Sequence, residues 1–564
     1  MSGWRFALVI VLFCLAVVGL CGRVVYLAVT EKDFLQQQGD ARSIRAVPIP
    51  AMRGVIYDRQ GEALAVSTPV FAVWTDPSKA TLKVAEVDQL ANLLQLSRAE
   101  IQERLQHRQR EFAYLKRRID WQLARQVDAL NIDHVYLRPE YRRYYPAGET
   151  TAHVVGVTDI DDQGIEGTER AFNTSLQGRN GSKVVLKDRK GQTIRDLEFR
   201  GIPSFGQDLS LSVDLRLQFI AYRELKSAVT SHQAQSGSVV MADAQTGEVL
   251  ALVNQPSYNP NEKDKHLAGM RNRAITDTYE PGSTVKPFTA LAALESGRYH
   301  HNSFIDTAPG YFRVSDKLIQ DPVNRGEISL AQAIAKSSQV AIAKVALDLR
   351  ENAIFDVLQR AGFGDYVSLG LPGEASGFLD DSQLRYPVVR TSLSFGYGVA
   401  VTPLQLTQAY VTLASGGRYL PLKLVKQNPQ EQPGRRVFDQ HLVREVVNMM
   451  ELVTRPEGTA PGAAVPGYRV AGKTGTARIV GPGGYDDERH VAWFAGMAPA
   501  SDPRLVMVVL VNEPKAGLSG GGAVAAPVFS RIAQRSLPIL GIAQDAPSKP
   551  NLMASHVVTR GGAR

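Results

Sequence analysis

The first thirty residues contain an apolar run that restricts what the chain can be. Residues 6–22 are seventeen consecutive uncharged residues, followed by Arg23 and a second apolar run at 24–29. As a helix that rises about 1.5 Å per residue, the first run would extend ~26 Å, close to the thickness of a hydrocarbon core. Trp4 and Tyr26 lie near its two ends, where aromatic rings favour the membrane interface. The pattern predicts a membrane-spanning helix.

A cleaved signal peptide is the alternative interpretation of the same run. Cleavage needs small residues at defined positions, and residues 26–29 (YLAV) fit that requirement poorly. Lipoprotein processing at Cys21 would need a small residue before it, and Leu20 is bulky. We therefore predict an uncleaved signal anchor, with residues 1–30 forming a cytoplasmic stub and the transmembrane segment.

Composition and cysteine usage limit the classes of protein to which the rest of the chain can belong. A chain of 564 residues with 44% hydrophobic and 21% charged residues is ordinary for a globular protein of two to four domains. The net charge of +8 suits anionic lipid or glycan surfaces. No zinc-knuckle spacing or interleaving of aromatic and basic residues supports nucleic-acid binding, so none is expected. The two cysteines, Cys14 and Cys21, both lie in the apolar run, which excludes a disulfide framework elsewhere.

The sequence after the anchor divides into two regions that differ in their predicted secondary structure. Residues 31–207 are polar and mixed, with a strand-like run at 70–74 and apolar residues at helical spacing over 97–130. From residue 208 onward, strand candidates occur at both ends of a long helical region. This order predicts an α+β fold with one antiparallel sheet completed by both termini of the domain. The strand candidates are 238–241, 249–253, 468–480, 490–497 and 505–512, with a closing helix at 527–537 and a mobile tail at 541–564.

A serine and a lysine three residues apart form the first candidate for chemistry. The segment 280–288 reads EPGSTVKPF. Pro287 is tolerated only in the first turn of a helix, so the helix must begin close to Ser283. Ser283 and Lys286 then share one face with ~5–6 Å between their Cβ atoms. A desolvated neutral lysine can activate a serine hydroxyl as a nucleophile, although the pattern taken singly also arises by chance.

The second candidate is the segment 336–340 (KSSQV), which the sequence places inside a helix at 331–347. Its functional interpretation makes Ser337 a second proton-relay hydroxyl. Gln339 would then supply an amide that holds a substrate carbonyl. Taken singly, the segment is equally typical of a polar helix start.

The third candidate is the segment 471–477 (AGKTGTA), in a predicted strand. Glycine weakens a strand, so Gly475 indicates the close approach of another backbone, such as a substrate peptide added along this edge. Lys473, Thr474 and Thr476 supply a charge and hydroxyls for a terminal carboxylate. The backbone N–H groups of Ser283 and Thr476 would bind the oxyanion. A glycine-rich turn with a surface lysine is the alternative.

Taken together, the order and separation of the three motifs resemble the active-serine penicillin-recognising enzymes. Other segments resemble class B penicillin-binding proteins in particular, and the resemblance extends from about residue 20 to residue 540. Within class B, the length and single anchor are most similar to the septal, cell-division transpeptidases; the elongation-specific group is the competitor. The segments are 53–61 (RGVIYDRQG), 144–146 (YYP), 153–156 (HVVG), 164–167 (GIEG), 394–398 (SFGYG), 402–405 (TPLQ), 521–522 (GG) and 525–529 (AAPVF).

This resemblance implies an architecture and an activity. The implied architecture is a non-catalytic pedestal of mixed α/β structure at 31–207 and a serine transpeptidase domain at 208–540. The implied activity is peptidoglycan D,D-transpeptidation: Ser283, activated by Lys286, takes an acyl group from a stem peptide ending in D-Ala-D-Ala. Penicillins and other β-lactams would form the same ester. No metal or organic cofactor is required.

The resemblance also implies a location and partners. The protein would sit in the inner membrane as a single-pass protein with its catalytic domain in the periplasm. A membrane glycan polymerase and other division proteins are the implied partners. No glycosyltransferase signature precedes the serine domain, so the chain is expected to be monofunctional.

Two other functions remain open at this point, and one residue departs from the family pattern. A β-lactamase or β-lactam sensor could use the same fold, and so could a non-catalytic wall-binding scaffold. The family's second motif usually ends in Asn, whereas this chain has Gln339, one methylene longer. Gln339 keeps an amide, but that amide lies one methylene farther from the backbone. Among the roles that the resemblance implies, only that of Gln339 is affected.

Overall fold

The computed structural model describes residues 3–35, 44–187, 193–262, 267–426, 434–481 and 483–546. Most of the predicted tail, 547–564, lies outside the described residues. The helices are α1 Gly3–Val29, α2 Val84–Leu94, α3 Arg98–Gln106, α4 Trp121–Ala129, α5 Ala152–Val155, α6 Gly167–Ala171, α7 Asn173–Leu176, α8 Leu215–Ser231, α9 Leu267–Met270, α10 Arg273–Thr276, α11 Lys286–Glu295, α12 Leu330–Ala335, α13 Gln339–Asp348, α14 Ala353–Arg360, α15 Pro387–Ser394, α16 Pro403–Ala414, α17 Gln440–Glu451 and α18 Gly521–Ile539.

The strands and the 3-10 turns complete the described elements. The strands are β1 Ile44–Ile49, β2 Ile56–Tyr57, β3 Ala63–Thr75, β4 Ala113–Ile119, β5 Val135–Tyr144, β6 Gly181–Lys187, β7 Thr193–Gly201, β8 Leu209–Ser210, β9 Ser236–Asp243, β10 Val249–Gln255, β11 Phe304–Asp306, β12 Tyr311–Val314, β13 Lys317–Gln320, β14 Glu327–Ser329, β15 Arg418–Tyr419, β16 Arg435–Arg436, β17 Ala471–Gly481, β18 Gly484–Ala498 and β19 Leu505–Asn512. The 3-10 turns are Gly148–Thr150, Gly282–Val285, Leu452–Thr454 and Pro461–Ala463.

The chain divides into two compact units that interleave along the sequence. The first contains Met1–Gly54, Ser67–Arg143 and Gln177–Gln207. The second contains Val55–Val66, Tyr144–Leu176 and Asp208–Arg564. The second unit therefore takes in two segments that precede residue 208. The domain limits of 31–207 and 208–540 stay a prediction.

The first unit begins with the apolar helix. α1 is 27 residues long, none of its side chains is buried against the rest of the described chain, and its length and composition suffice to cross a membrane. At about 1.5 Å per residue it would extend ~40 Å. The predicted signal anchor thus corresponds to a continuous helix.

The rest of the first unit is built from short helices and two groups of strands. β1, β6 and β7 form a three-stranded antiparallel sheet. The second half of β3 pairs with β4, and α2, α3 and α4 pack nearby around a small buried cluster. This is the mixed α/β pedestal that the sequence predicts.

One prediction in this unit was wrong in part. The helical spacing at 97–130 predicts one helix, but the structure has two helices with β4 between them. Leu115 and Ile119 of β4 are both buried in the unit's core. Two apolar residues four positions apart lie on one face of either a helix or a strand, so spacing alone does not separate the two.

The second unit is organised by a five-stranded sheet. Its order is β10-β9-β19-β18-β17, and every neighbouring pair is antiparallel. β9 and β10 near the start of the domain and the last three strands of the chain therefore lie in one sheet, and the predicted antiparallel sheet closed by both ends of the domain is confirmed. β17 is an edge strand of this sheet among the described residues.

Two neighbouring residues of β18 show what covers the faces of the sheet. Trp493 and Phe494 are adjacent, so their side chains point to opposite faces. The ring of Phe494 contacts Phe529 of α18, with 4.9 Å between centroids. The indole Nε1 of Trp493 donates to the carbonyl of Glu280 at 3.2 Å, three residues before Ser283. α18 therefore covers one face, and the serine-bearing turn lies on the other.

The helix predicted at 331–347 is interrupted, which corrects the sequence-based expectation. α12 ends at Ala335 and α13 begins at Gln339. Ser337, between them, has φ = 58°, a left-handed conformation that is uncommon for a residue with a side chain. Ser338 caps α13, since its Oγ accepts a hydrogen bond from the N–H of Ala341 at 3.0 Å.

A buried aspartate holds this interruption in place. Asp321 is 3% exposed, and its carboxylate accepts hydrogen bonds from the hydroxyl of Ser338, from the N–H of Gln339 at 2.6 Å and from the N–H of Val340 at 3.3 Å. An anionic acceptor at a helix N-terminus satisfies N–H groups that have no partner within the helix. Asp321 therefore fixes the turn that presents Ser337.

We expect Asp321→Ala to destabilise the second unit, because three donors, two of them buried, lose their acceptor. A lost acceptor of this kind costs about 1–3 kcal/mol. The measurement is the thermal unfolding midpoint of the full-length protein in detergent. Asp316→Ala is the matched control, since Asp316 lies on the turn just before and is exposed. Equal midpoints for the two variants would contradict the role of Asp321.

Candidate active site

Ser283 lies on a short 3-10 turn, Gly282–Val285, that leads directly into α11. Pro287 occupies the first turn of α11, as the sequence predicts. Ser283 is half-buried, and its Oγ makes no hydrogen bond with any other residue in the described part of the chain. The backbone turn thus positions the Cβ of Ser283, while its hydroxyl is not engaged by another side chain in the described residues.

Close backbone contacts with two other segments, at Gly396 and Gly475, hold the serine turn. The N–H of Gly282 donates to the carbonyl of Gly396 at 3.1 Å. A Cβ added to Gly396 would lie 2.1 Å from the carbonyl oxygen of Gly282, so the contact requires glycine. A Cβ added to Gly475 would lie 2.6 Å from the carbonyl oxygen of Pro281. The glycine of the third motif thus permits close approach by the chain's own serine turn, not only by a substrate.

The third motif also reaches the neighbourhood of Ser283 through Thr476. A Cβ built on Gly282 would lie 3.4 Å from the carbonyl oxygen of Thr476 and 3.6 Å from its nitrogen. The backbones that carry the two predicted oxyanion donors are therefore in contact. Whether both N–H groups converge on one oxygen stays a prediction.

Lys286 is completely buried and points to the second motif. Its Nζ donates to the carbonyl of Ser337 at 2.6 Å and to the hydroxyl oxygen of Ser337 at 3.2 Å. Burial lowers the pKa of Lys286 from 10.5 to about 7; the negative charge of Asp321 acts in the opposite direction, and Arg325 adds a smaller lowering effect. A substantial fraction of Lys286 is therefore neutral at neutral pH.

Lys473 is the second completely buried lysine. Its Nζ donates to the Ser337 hydroxyl oxygen at 2.9 Å. Burial, followed by repulsion from Lys286, lowers the pKa of Lys473 well below its ordinary value. The Ser337 hydroxyl thus lies between two amino groups, and it joins the first, second and third motifs.

The two threonines of the third motif differ in exposure. Thr474 is 8% exposed, and its hydroxyl shares a 3.0 Å hydrogen bond with the hydroxyl of Thr459. Thr476 is exposed, and its hydroxyl accepts a hydrogen bond from the N–H of Gly521 at 3.1 Å. A hydroxyl donates once and accepts twice, so both keep capacity for a ligand. Of the two threonines, Thr476 is the one that is exposed to solvent.

Gln339 occupies the first position of α13, next to these groups. Its backbone N–H is held by Asp321. Its half-buried side chain makes no hydrogen bond with another described residue. The amide is therefore available to a ligand, as its predicted role requires.

Sequence reasoning missed several residues of this site. Asp321 lies outside the three motifs, and no sequence signal pointed to it. Glu280 and Tyr397 lie inside segments that the resemblance identified, but they received no role. Tyr485 and Lys317 come from the β17–β18 and β12–β13 hairpins, and only the folded chain brings them close to Glu280.

Comparison with known proteins agrees with this geometry. Residues 237–534 match the family model described as penicillin binding protein transpeptidase domain, and residues 48–211 match the penicillin-binding protein dimerisation domain. The chain is 44% identical over 554 residues to the peptidoglycan D,D-transpeptidase FtsI of Escherichia coli K12, covering 96% of this chain and 93% of that protein. It is 42% identical over 544 residues to the probable peptidoglycan D,D-transpeptidase PbpC of Pseudomonas aeruginosa, covering 96% of each.

A solved structure supports the same assignment. The transpeptidase domain of penicillin-binding protein 3 from Burkholderia pseudomallei matches with a TM-score of 0.55 and 38% identity, covering 60% of this chain and 98% of that one. The three motifs, the fold and the matches to both domain models agree. The chain belongs to the class B penicillin-binding proteins.

Proposed function

We propose that this protein cross-links peptidoglycan as a septal D,D-transpeptidase, with Ser283 as its nucleophile. The observation that carries the assignment of roles is the Ser337 hydroxyl, bound by two buried lysines at 3.2 and 2.9 Å. The transpeptidase activity itself follows from the family and its relatives. The roles of individual residues are proposals from geometry.

Lys286 acts as the base that activates Ser283. The two residues lie one turn apart, and the pKa of about 7 leaves Lys286 able to accept a proton. In the structure its Nζ is bonded to Ser337. Catalytic hydrogen bonds are often long in unliganded sites and shorten only when substrate binds.

Lys473 binds the terminal carboxylate of the donor peptide, together with Thr476, Thr474 and Gly475. An arriving carboxylate favours the charged form of Lys473, because opposite charges attract at short range. A positive Lys473 in turn favours the neutral form of Lys286 through repulsion across Ser337. Binding of the donor carboxylate therefore increases the neutral fraction of Lys286, the form that can accept the serine proton.

β17 offers the donor peptide an edge to pair with. The strand lies at the edge of the sheet, so its outer N–H and C=O groups can add a peptide strand. The N–H groups of Thr476 and Ser283 bind the oxyanion as charge develops on the carbonyl oxygen. Gln339 donates its amide to a carbonyl of the same peptide.

The reaction proceeds by two acyl transfers. Lys286 takes the proton of Ser283, and the Oγ attacks the carbonyl carbon of the penultimate D-alanine. The bond from that carbon to the terminal D-alanine nitrogen breaks, while Ser337 gives that nitrogen a proton and regains one from Lys286. An amine of a second stem peptide then attacks the ester carbon. The new C–N bond forms, the C–Oγ bond breaks, and the proton lost by the amine returns to Ser283 through Lys286.

Location and partners extend the proposal. The apolar helix α1 and the relatives fit an inner-membrane protein. We place the catalytic unit in the periplasm, where stem peptides occur, and infer a membrane glycan polymerase and other division proteins as partners. β-Lactams acylate Ser283 as substrate analogues.

The β-lactamase or sensor and the non-catalytic scaffold are less well supported. The relatives are transpeptidases, and the dimerisation-domain match spans 48–211. Ser283, Lys286 and Lys473 are all present. Both lysines are bonded to the Ser337 hydroxyl, an arrangement that a scaffold would not need.

We expect a fluorescent penicillin to form a stable covalent adduct with the full-length protein, and Ser283→Ala to form none. Intact-mass measurement over hours gives both the adduct and its lifetime. An adduct that is lost within minutes would favour a lactamase. No adduct on a folded wild-type protein would favour the scaffold.

We expect Gln339→Asn to change the rate of penicillin acylation while keeping the adduct on Ser283. The shorter side chain moves the amide by about one methylene, which alters its distance to the ligand carbonyl but not the nucleophile. Labelling reactions stopped at a series of times give the second-order rate constant of acylation. Gln440→Asn is the matched control, because Gln440 also occupies the first position of a helix, α17, and is exposed. Equal rates for Gln339→Asn and wild type would contradict contact between this amide and the ligand.

We expect the second-order acylation rate to rise with pH around an apparent pKa near 7. Lys286 must be neutral to accept the serine proton, and burial lowers its pKa to about 7. Below that pH the lysine is protonated and the rate falls about tenfold per pH unit. Labelling between about pH 5.5 and 8.5, with thermal midpoints at each pH to confirm folding, measures the profile. A flat profile would exclude Lys286 as the base.

A further inference from the structure

A buried tyrosine contacts the backbone between Ser283 and Lys286 and takes no part in the acylation steps above. Tyr410 lies on α16, and its side chain is completely removed from solvent. Its hydroxyl donates a hydrogen bond to the backbone carbonyl of Thr284 at 2.9 Å. Thr284 directly follows Ser283, so this carbonyl belongs to the 3-10 turn that carries the nucleophile.

The ring of Tyr410 contacts the same segment on the other side of Lys286. It is in edge contact with the ring of Phe288, with 5.8 Å between the centroids. Phe288 lies in the first turn of α11, two residues after Lys286, and its ring is also in edge contact with that of Phe363. Tyr410 therefore touches the chain before Lys286 through a hydrogen bond and after it through an aromatic contact.

The helix that carries Tyr410 is a firm support. Every residue of α16 is buried, and the helix packs against β9, β18 and β19 of the five-stranded sheet. The side-chain amide of Gln408 donates to the carbonyl of Leu420 at 2.8 Å and accepts from the N–H of Leu422 at 2.9 Å. These contacts fix α16, so the Tyr410 hydroxyl is a fixed point for the Thr284 carbonyl.

The 3-10 geometry of the turn determines how Ser283 and Lys286 are aligned. In a 3-10 helix, residues three apart lie directly above one another, because each turn contains three residues. In an α-helix with 3.6 residues per turn, the same two residues are about 60° apart around the axis. The N–H of Lys286 donates to the carbonyl of Ser283, which is the bond that defines a 3-10 turn. This geometry therefore places the nucleophile and its base on one line of the helix surface.

Two side-chain hydrogen bonds oppose rotation of the turn about its axis. Burial raises the pKa of Tyr410 well above its ordinary value, so its hydroxyl keeps its proton at neutral pH and remains a donor. The hydroxyl of Thr284 donates to the carbonyl of Pro281 at 2.8 Å. Rotation of the turn would separate these donors from their acceptors, and a buried donor without an acceptor is costly.

We propose that Tyr410 is a positioning residue for acylation, and that its hydrogen bond to the Thr284 carbonyl keeps Ser283 aligned with Lys286. Tyr410 acts through the backbone of the serine turn. The proposal deepens the transpeptidase function and rests on the roles proposed for Ser283 and Lys286. Loss of the Tyr410 hydroxyl slows the chemical step of acylation and leaves the binding of the β-lactam unchanged.

The test follows acylation of the full-length protein in detergent by a fluorescent penicillin, in rapid-mixing experiments over a range of penicillin concentrations. These experiments give the dissociation constant of the non-covalent complex and the limiting rate of acylation separately. Tyr410→Phe removes the hydroxyl alone. Tyr258→Phe is the matched control, because Tyr258 is 4% exposed and its hydroxyl donates at 3.1 Å to the backbone carbonyl of Ala152, outside the serine turn.

We expect Tyr410→Phe to lower the limiting rate about tenfold, as the loss of one buried hydrogen bond that aligns the reacting groups would give. The dissociation constant should stay unchanged. Tyr258→Phe should change neither quantity. Both variants lose one buried hydrogen bond, so their thermal midpoints should fall by similar amounts, which separates alignment of the turn from general stability.

Thr284→Val tests the same turn from its other side. It removes the hydrogen bond to Pro281 but keeps a branched side chain of similar size, and it leaves the core around Tyr410 intact. We expect the limiting rate to fall and the dissociation constant to stay unchanged, as for Tyr410→Phe. An unchanged limiting rate in Thr284→Val would show that the geometry of the turn does not set the rate, and would overturn the proposal.

The remaining contrary results can be told apart. An unchanged limiting rate in Tyr410→Phe, or an equal fall in Tyr258→Phe, would overturn the positioning role. Weaker penicillin binding at an unchanged limiting rate would overturn it as well. A wild-type protein that forms no adduct, or an adduct that persists in Ser283→Ala, would instead overturn the proposed role of Ser283.

Discussion

The catalytic unit depends on one hydroxyl group held between the amino groups of two buried lysines. Lys286 and Lys473 both donate to Ser337 Oγ, and both are fully removed from solvent. Burial lowers the pKa of both lysines, and repulsion from Lys286 lowers that of Lys473 further. With a pKa of about 7, Lys286 is partly neutral at neutral pH, next to the turn that carries Ser283.

The surrounding structure can be understood as the support for that arrangement. Asp321 fixes the break between two helices, so that Ser337 adopts a left-handed backbone conformation that a continuous helix would forbid. Backbone strain of this kind costs roughly 1–3 kcal/mol and persists only where neighbours hold it. On the opposite side, Gly396 and Gly475 let neighbouring backbones contact the serine turn directly. Close backbone packing therefore holds the serine turn against the third motif, and Asp321 holds the second motif next to them.

The sequence predicted the parts of this site that depend on local chemistry. Pro287 located the start of the helix after Ser283, and the terminal strands of the domain implied a sheet closed by both ends. The interruption at Ser337 was not predictable from spacing, because the segments on both sides have helical periodicity. It is caused by Asp321, sixteen residues earlier in the chain, which reaches Ser337's neighbours only after the fold forms. β4 was not predicted for a related reason. Leu115 and Ile119, four positions apart, fit the spacing of a helix face and of a strand face equally well.

β17 links the third motif to the segment that precedes Ser283. Lys473 lies near the beginning of the strand, and Val480, seven residues later, pairs with Tyr485. Seven residues of strand span about 23 Å, and the hydroxyl of Tyr485 donates to the carboxyl group of Glu280, three residues before Ser283. Nearer its beginning, the same strand admits the carbonyl of Pro281 against Gly475, where a Cβ would leave no room. The edge strand therefore contacts the segment before Ser283 at two points, and both contacts depend on the position of β17 in the sheet.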